Sequence, residues 1–193
     1  MEKQIKTSVI NKKLLCTENQ VNIAKYEDFA MKILNKSEKG TNVFAITCDK
    51  NNFNLIPTAT INVAYNLALH NKKVLVINCD TQNLAFNNLL ATSNNNDIVV
   101  NYSNFDIILP VNTDFMNNLT LDELKEKYPN YDYIILCVPS PKCSLNYLAV
   151  PQGTPFYMLV IKFISSFYAI NKCIGLLNNA ELSVIGSVYV KLK

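Results

Sequence analysis

A chain of 193 residues with 49% hydrophobic and 17% charged side chains is long enough to bury a real core and too apolar to be disordered. Its formal charge of +3 is too small to argue for nucleic acid, and all 18 basic residues are lysines, so no arginine finger and no bidentate guanidinium–phosphate clamp can come from it. The start, MEKQIKTSVINKKLL, has no apolar run and no small-residue cleavage site, and six cysteines outside a secretory context read as reduced thiols of a cytoplasm.

Residues 1–22 are polar and poorly periodic, which predicts an extended or mobile arm, and residues 23–193 read as a single domain without repeats. From Val21 to Leu34 the apolar positions Ile23, Ala24, Phe29, Ala30, Ile33 and Leu34 fall at helical spacing. Asn42 to Cys48 (NVFAITC) is a short run rich in β-formers and predicts a buried strand. A loop follows from Asp49 to Pro57. Thr58 to His70 has Ile61, Ala64, Tyr65 and Ala68 on one face and predicts a helix; Lys73 to Asn78 (KVLVIN) predicts the next strand.

Asp80 to Ala91 reads as a loop and a short helix, and Asp97–Val100 and Phe105–Leu109 as two further strands. Thr120 to Tyr128 is an amphipathic helix, opened by Thr120 with Glu123 three positions on, the capping-box pattern. Tyr131–Val138 (YDYIILCV) and Phe156–Ile161 are apolar strands, Ser165–Asn178 is helical, and Ser183–Val190 (SVIGSVYV) closes the chain as a strand. The most apolar stretch, 155–170, is broken by Lys162 and is shorter than the roughly 20 residues that span a bilayer, so it reads as a strand running into a helix.

Strands that alternate with helices and are apolar throughout imply an α/β fold with three layers: a mainly parallel sheet covered by helices on both faces. Such a sheet offers its ligand site at the C-terminal strand ends. Those ends are Cys48, Asn78 to Asp80, Cys137 to Pro139, and Lys162.

Five segments in this order resemble the cytoplasmic kinase domain of the bacterial tyrosine kinases of capsule and exopolysaccharide synthesis, P-loop proteins related to the MinD and ParA ATPases. YEDFAMKILN (26–35) is similar to a helix that the family writes EAFRTLRTN, with Glu27, Phe29 and Asn35 in register. VFAITC (43–48) is similar to the strand entering the Walker A loop. INVAYNLALHNKKVLVINCD (61–80) is similar to the helix after that loop and the strand of the second Walker motif. LTLDELKEKYPNYDYIILCVPS (119–140) is similar to the helix and strand of Walker B, and NNAELSVIGSVYVKL (178–192) to the closing strand. The resemblance spans about Tyr26 to Leu192 and implies a P-loop NTPase-like fold.

It also shows what the chemistry lacks. A phosphate loop needs glycines so that backbone N–H groups converge on the phosphates, a lysine to reach them, and a Ser or Thr for magnesium. The equivalent stretch here, DKNNFNLIPTAT (49–60), has no glycine. Phe53, Leu55 or Ile56 falls where the glycines and the lysine stand, Pro57 removes an N–H near the helix start, and only Lys50 and Thr58 are candidates for rescue. Of the family's second aspartate pair, Asn78 replaces the first and is a poor base; Asp80 remains and reads as a turn or capping residue before Thr81. Cys137 stands at the Walker B aspartate, and a thiol is no ligand for magnesium. The helix arginines fall at Ala30 and Ile33, so the family's subunit-to-subunit packing, which Glu27 and Phe29 would otherwise serve, loses its charged partners.

The residues therefore predict no cofactor, no catalytic residue and no phosphoryl transfer. The resemblance implies a cytoplasmic, kinase-like pseudo-ATPase with a regulatory or scaffolding role, whose partner is a membrane polysaccharide co-polymerase or adaptor, an active kinase, or a second copy. It would lie at the inner face of the membrane only through that partner. Cys48, Cys79 and Cys137 at the strand ends, with Cys143 beyond, are candidates for a soft metal or a redox pair; the plainer reading is that of buried small apolar residues. His70, the one histidine, has little support as a base. A remodelled strand-end site for another small ligand, or a MinD- or ParA-type partitioning partner, are the alternatives.

Overall fold

The computed structural model describes residues 6–7, 20–37, 40–49, 55–79, 98–102, 105–109, 119–141, 150–161 and 165–190. Among them are eight strands, β1 (Lys6–Thr7), β2 (Asn42–Cys48), β3 (Val74–Asn78), β4 (Ile98–Tyr102), β5 (Phe105–Leu109), β6 (Tyr133–Cys137), β7 (Phe156–Ile161) and β8 (Val184–Val190). Four helices accompany them, α1 (Gln20–Lys36), α2 (Ile56–Leu69), α3 (Leu121–Lys127) and α4 (Phe167–Asn179). The strands form one sheet in the order β1-β4-β5-β3-β6-β2-β7-β8.

Every pairing is parallel except that of β4 with β5. Only residues 103 and 104 separate those two strands, and so short a connection cannot make the crossover that a parallel pair requires. Sequence reading placed both strands but not their opposed direction. The expected arm also contributes structure: Lys6–Thr7 pairs with β4, and α1 begins at Gln20, inside the stretch expected to be irregular.

Period-two alternation sorts the strand residues onto two faces. Phe44, Ile46, Val74, Val76, Tyr133 and Ile135 lie in one core with α1 and α2. Val43, Ala45, Leu75, Ile77, Ile134 and Leu136 lie in the other, with Leu124 of α3 and Cys173 and Leu177 of α4. This is the three-layer arrangement expected, because strands apolar on both faces must be covered on both.

The helix starts follow their local chemistry. The Thr120 hydroxyl accepts from the Glu123 N–H at 3.2 Å, and the Glu123 carboxylate accepts from the Thr120 N–H at 2.8 Å, so two backbone donors at the start of α3 are satisfied. These bonds hold the Glu123 carboxyl below its ordinary range, the backbone bond contributing most. Ser166 caps α4 by accepting from the Ala169 N–H at 3.1 Å. α2 differs: no side chain caps it, and Pro57 sits in its first turn.

Candidate functional site

The C-terminal strand ends are where a sheet of this kind presents a ligand. On the face toward α2, Asn78 of β3 lies in register with Cys137 of β6, which in turn lies in register with Ile46 of β2. Cys48 follows two positions beyond Ile46 on the same face. Three of the expected site positions, Asn78, Cys137 and the start of α2, thus come together. Phe53, Asp80 and Lys50 lie outside the described residues.

What fills this corner is apolar. Ile56, Cys48 and Cys137 are buried in one cluster, and Leu55 packs against it. Leu55 occupies the cap position of α2 with φ −96° and ψ −10°, and Pro57 is buried in the first turn. Thr58 is half-buried and its carbonyl accepts from the Asn62 side-chain amide at 2.8 Å.

The three strand-end cysteines do not converge. Cys48 and Cys137 belong to the α1/α2 core, whereas Cys79 belongs to the opposite core with Leu75 and Ile77. Strict alternation after β3 explains this. The Cys48 thiol donates to the Asp49 carbonyl at 2.9 Å. Among the described residues no three His, Cys, Asp or Glu side chains gather as a metal site, and Cys48, Cys79, Cys137 and Cys173 are not in disulfide bonds.

Polar side chains are buried as well, and of these sequence reading singled out only Asn78. Thr47, Asp49, Thr60, Asn78 and Ser140 are all buried. The Thr47 hydroxyl donates to the Pro139 carbonyl at 2.9 Å, tying the end of β2 to the turn after β6. The Thr60 and Ser140 hydroxyls have no hydrogen-bond partner among the described residues. The Cys173 thiol of α4 donates to the Cys48 carbonyl at 3.5 Å, and burial, then the charge of Asp49, push its pKa up to about 12. The sequence signal for Asp49 was weak, because an aspartate after a strand reads as a loop opener; Cys173 of α4, whose thiol its charge affects, lies far away in the chain.

Of the residues expected at a partner surface, Glu27 is exposed and Phe29 is buried. Phe29 packs edge-on against Tyr157 of β7, with ring centroids 4.9 Å apart. Two aromatic side chains that sequence reading did not single out, Phe167 and Tyr168, are 80% and 78% exposed. They open α4, just after the C-terminal end of β7, on the same rim of the sheet as the candidate site. No helix among the described residues is long and apolar enough to cross a membrane.

No protein-family model matches this chain, and no curated protein matches it in sequence. Solved structures do match it. The kinase domain of Escherichia coli tyrosine kinase ETK superposes with a TM-score of 0.76 over 97% of this chain and 83% of its own, at 14% identity. The chimerical protein CapA2B2 gives 0.72 over 96% and 93%, at 15% identity. The Aquifex aeolicus MinC:MinD cell division complex gives 0.52 over 77% and 68%, at 18% identity. At these identities the likeness shows the fold alone: the chain has the P-loop NTPase-like α/β fold shared by bacterial tyrosine-kinase domains and MinD.

Proposed function

We propose that this chain is a non-catalytic relative of the exopolysaccharide tyrosine kinases, which acts by binding a protein partner and not by transferring phosphate. One observation carries the reading: Leu55, Ile56, Cys48 and Cys137 pack together at the strand ends, where this fold places nucleotide phosphates and magnesium. Apolar side chains there offer neither converging N–H groups nor a hard oxygen ligand. Pro57 withholds one further donor from the first turn of α2.

The exposed pair Phe167 and Tyr168 supports a protein partner, since adjacent large aromatics standing in water are typical of contact surfaces. By resemblance, that partner is a membrane polysaccharide co-polymerase or adaptor, an active kinase, or a second copy, met at the inner face of the membrane. Glu27, exposed on α1, belongs to the same proposal.

Isothermal titration with ATP and magnesium tests the central point. The expected result is no saturable heat up to about 1 mM ligand, the weak-binding end of the affinity scale. Micromolar binding, or hydrolysis by pure protein that survives an active-site control, overturns it. A second reading, a different small ligand or metal at the same rim, is favoured by the buried hydroxyls of Thr60 and Ser140, which have no hydrogen-bond partner among the described residues. Native mass spectrometry and metal analysis of the pure protein separate the two.

A further inference from the structure

The opposite edge of the sheet, at the N-terminal strand ends, holds a recess of about 430 Å³. It opens where β2, β6 and β7 begin, between the end of α1 and the body of α3. The size falls within the roughly 300–1,000 Å³ of small-molecule sites. It lies across the length of the strands from the site described above, and none of its lining residues belongs to that site.

The chemistry of the lining is one-sided. Its floor is apolar, built from Ile33, Phe44, Leu121, Pro155 and Tyr157. Several of its neutral polar groups donate to the protein itself. The Ser37 hydroxyl donates to the Ile33 carbonyl at 2.7 Å, which leaves Tyr133 to donate its phenolic proton to Ser37. The Thr41 hydroxyl donates to the Tyr131 carbonyl at 2.8 Å, and the Asn42 side-chain amide donates to the Gly40 carbonyl at 3.0 Å. Among the described residues the charged lining side chains are Lys36 and Lys125, and none is a carboxylate. Lys125 reaches Asp122 at 3.5 Å, but that carboxylate is 88% exposed, so the pair is weak and easily exchanged.

We propose that this recess binds a small organic anion with a flat apolar body. The ammonium groups of Lys36 and Lys125 meet the anionic head from the two sides of the sheet edge, and the aromatic and aliphatic floor takes the body. A neutral molecule of the same shape meets at best a neutral donor such as the Tyr157 hydroxyl, weaker than an ammonium group, so charge, and not shape alone, sets the selectivity. A cationic ligand is disfavoured by both lysines.

The test uses the full chain and two probes of one shape, indole-3-acetate and the uncharged indole-3-acetamide, titrated while amide NMR signals are followed. Indole-3-acetate is expected to shift the amides of Ser37, Thr41, Asn42 and Tyr133 saturably and to bind about tenfold more tightly than the acetamide. The double variant Lys36→Met/Lys125→Met keeps apolar stems at two exposed or half-exposed positions, and it should remove the preference for the acid while leaving weak binding of the acetamide. Equal affinity for the two probes in the native chain overturns the proposal. So does no saturable binding of either, a preference that survives the double variant, or shifts confined to the C-terminal strand ends. The nucleotide reading is unaffected by any of these outcomes, because ATP titration reads the other edge.

Discussion

Two glycines outside the turns make opposite demands on a methyl group. Gly186 lies in β8 with φ outside the left-handed region, so no backbone strain opposes a side chain there. A Cβ at this position would stand 2.9 Å from Cε1 and 3.0 Å from Cδ1 of Tyr157. Real Cβ atoms do not approach that closely, so the ring or β8 must move. The ring is poorly placed to give way: it is buried and held edge-on by Phe29 at 4.9 Å and Phe44 at 5.3 Å. Gly186→Ala is therefore overpacking, expected to cost about 1–3 kcal/mol. For a chain of this length that lowers Tm by about 2–12 °C, at roughly 2–4 °C per kcal/mol.

Gly175, in the exposed face of α4, meets nothing within 4 Å. Gly175→Ala should stabilise by about 0.5–1 kcal/mol, because alanine is the better helix former and loses less backbone entropy. Urea denaturation followed by circular dichroism reads both variants. A double-mutant cycle isolates the cause: with Tyr157→Leu as background, Gly186→Ala should cost less than about 0.5 kcal/mol. The reasoning is refuted if Gly186→Ala is neutral in the native chain, or if its cost is the same in both backgrounds.

Phe29→Ala should cost about 3–5 kcal/mol by removing a buried ring and its contact with Tyr157, whereas the exposed Glu27→Ala should stay within about 0.5 kcal/mol in the same urea assay, which makes Glu27 the position to use in partner-binding measurements. Thr120→Ala should lose about 1 kcal/mol with the capping box of α3, and Thr120→Ser should restore most of it; equal stability of the two variants would contradict the capping geometry. The Tyr131 hydroxyl donates to Asp106 at 2.6 Å, and burial first, then that bond and the Asp106 charge, raise its pKa above the ordinary value. A phenol whose pKa is raised on folding adds stability that is complete below about pH 10, its unfolded value, and is lost as pH rises beyond it. Denaturation midpoints should therefore fall more steeply above about pH 10 in the native chain than in Tyr131→Phe; parallel pH profiles would count against it.

Local physical rules made much of the framework legible. NVFAITC and FYMLVI become β2 and β7 with the bounds read from the sequence, because β-formers apolar on both faces have no stable place except inside a covered sheet. Thr120 and Glu123 marked a helix start because both halves of their bonding lie within one turn. Alternation also set Cys79 apart from Asn78 before any coordinates were needed. The absence of glycine from residue 49 to residue 60, and the apolar Leu55 and Ile56 at the start of α2, were visible too.

What required the tertiary structure were the properties that distant segments create together. The order of the strands, and the reversal of β4 against β5, follow from pairings that no local pattern encodes. Phe29 reads as a surface position by resemblance, yet Tyr157, far along the chain, buries it. Asp49, Thr60 and Ser140 look like loop and helix polar residues, yet the fold buries all three. The recess between Lys36 and Lys125 exists because α1 ends on one side of the sheet edge and α3 passes on the other. Sequence by itself determined the alternation of elements, the two-faced sheet and the absence of glycine from residues 49–60, since each depends on neighbours within a few residues. Burial, charge environment and cavities depend on chain-distant neighbours, and folding alone decided them.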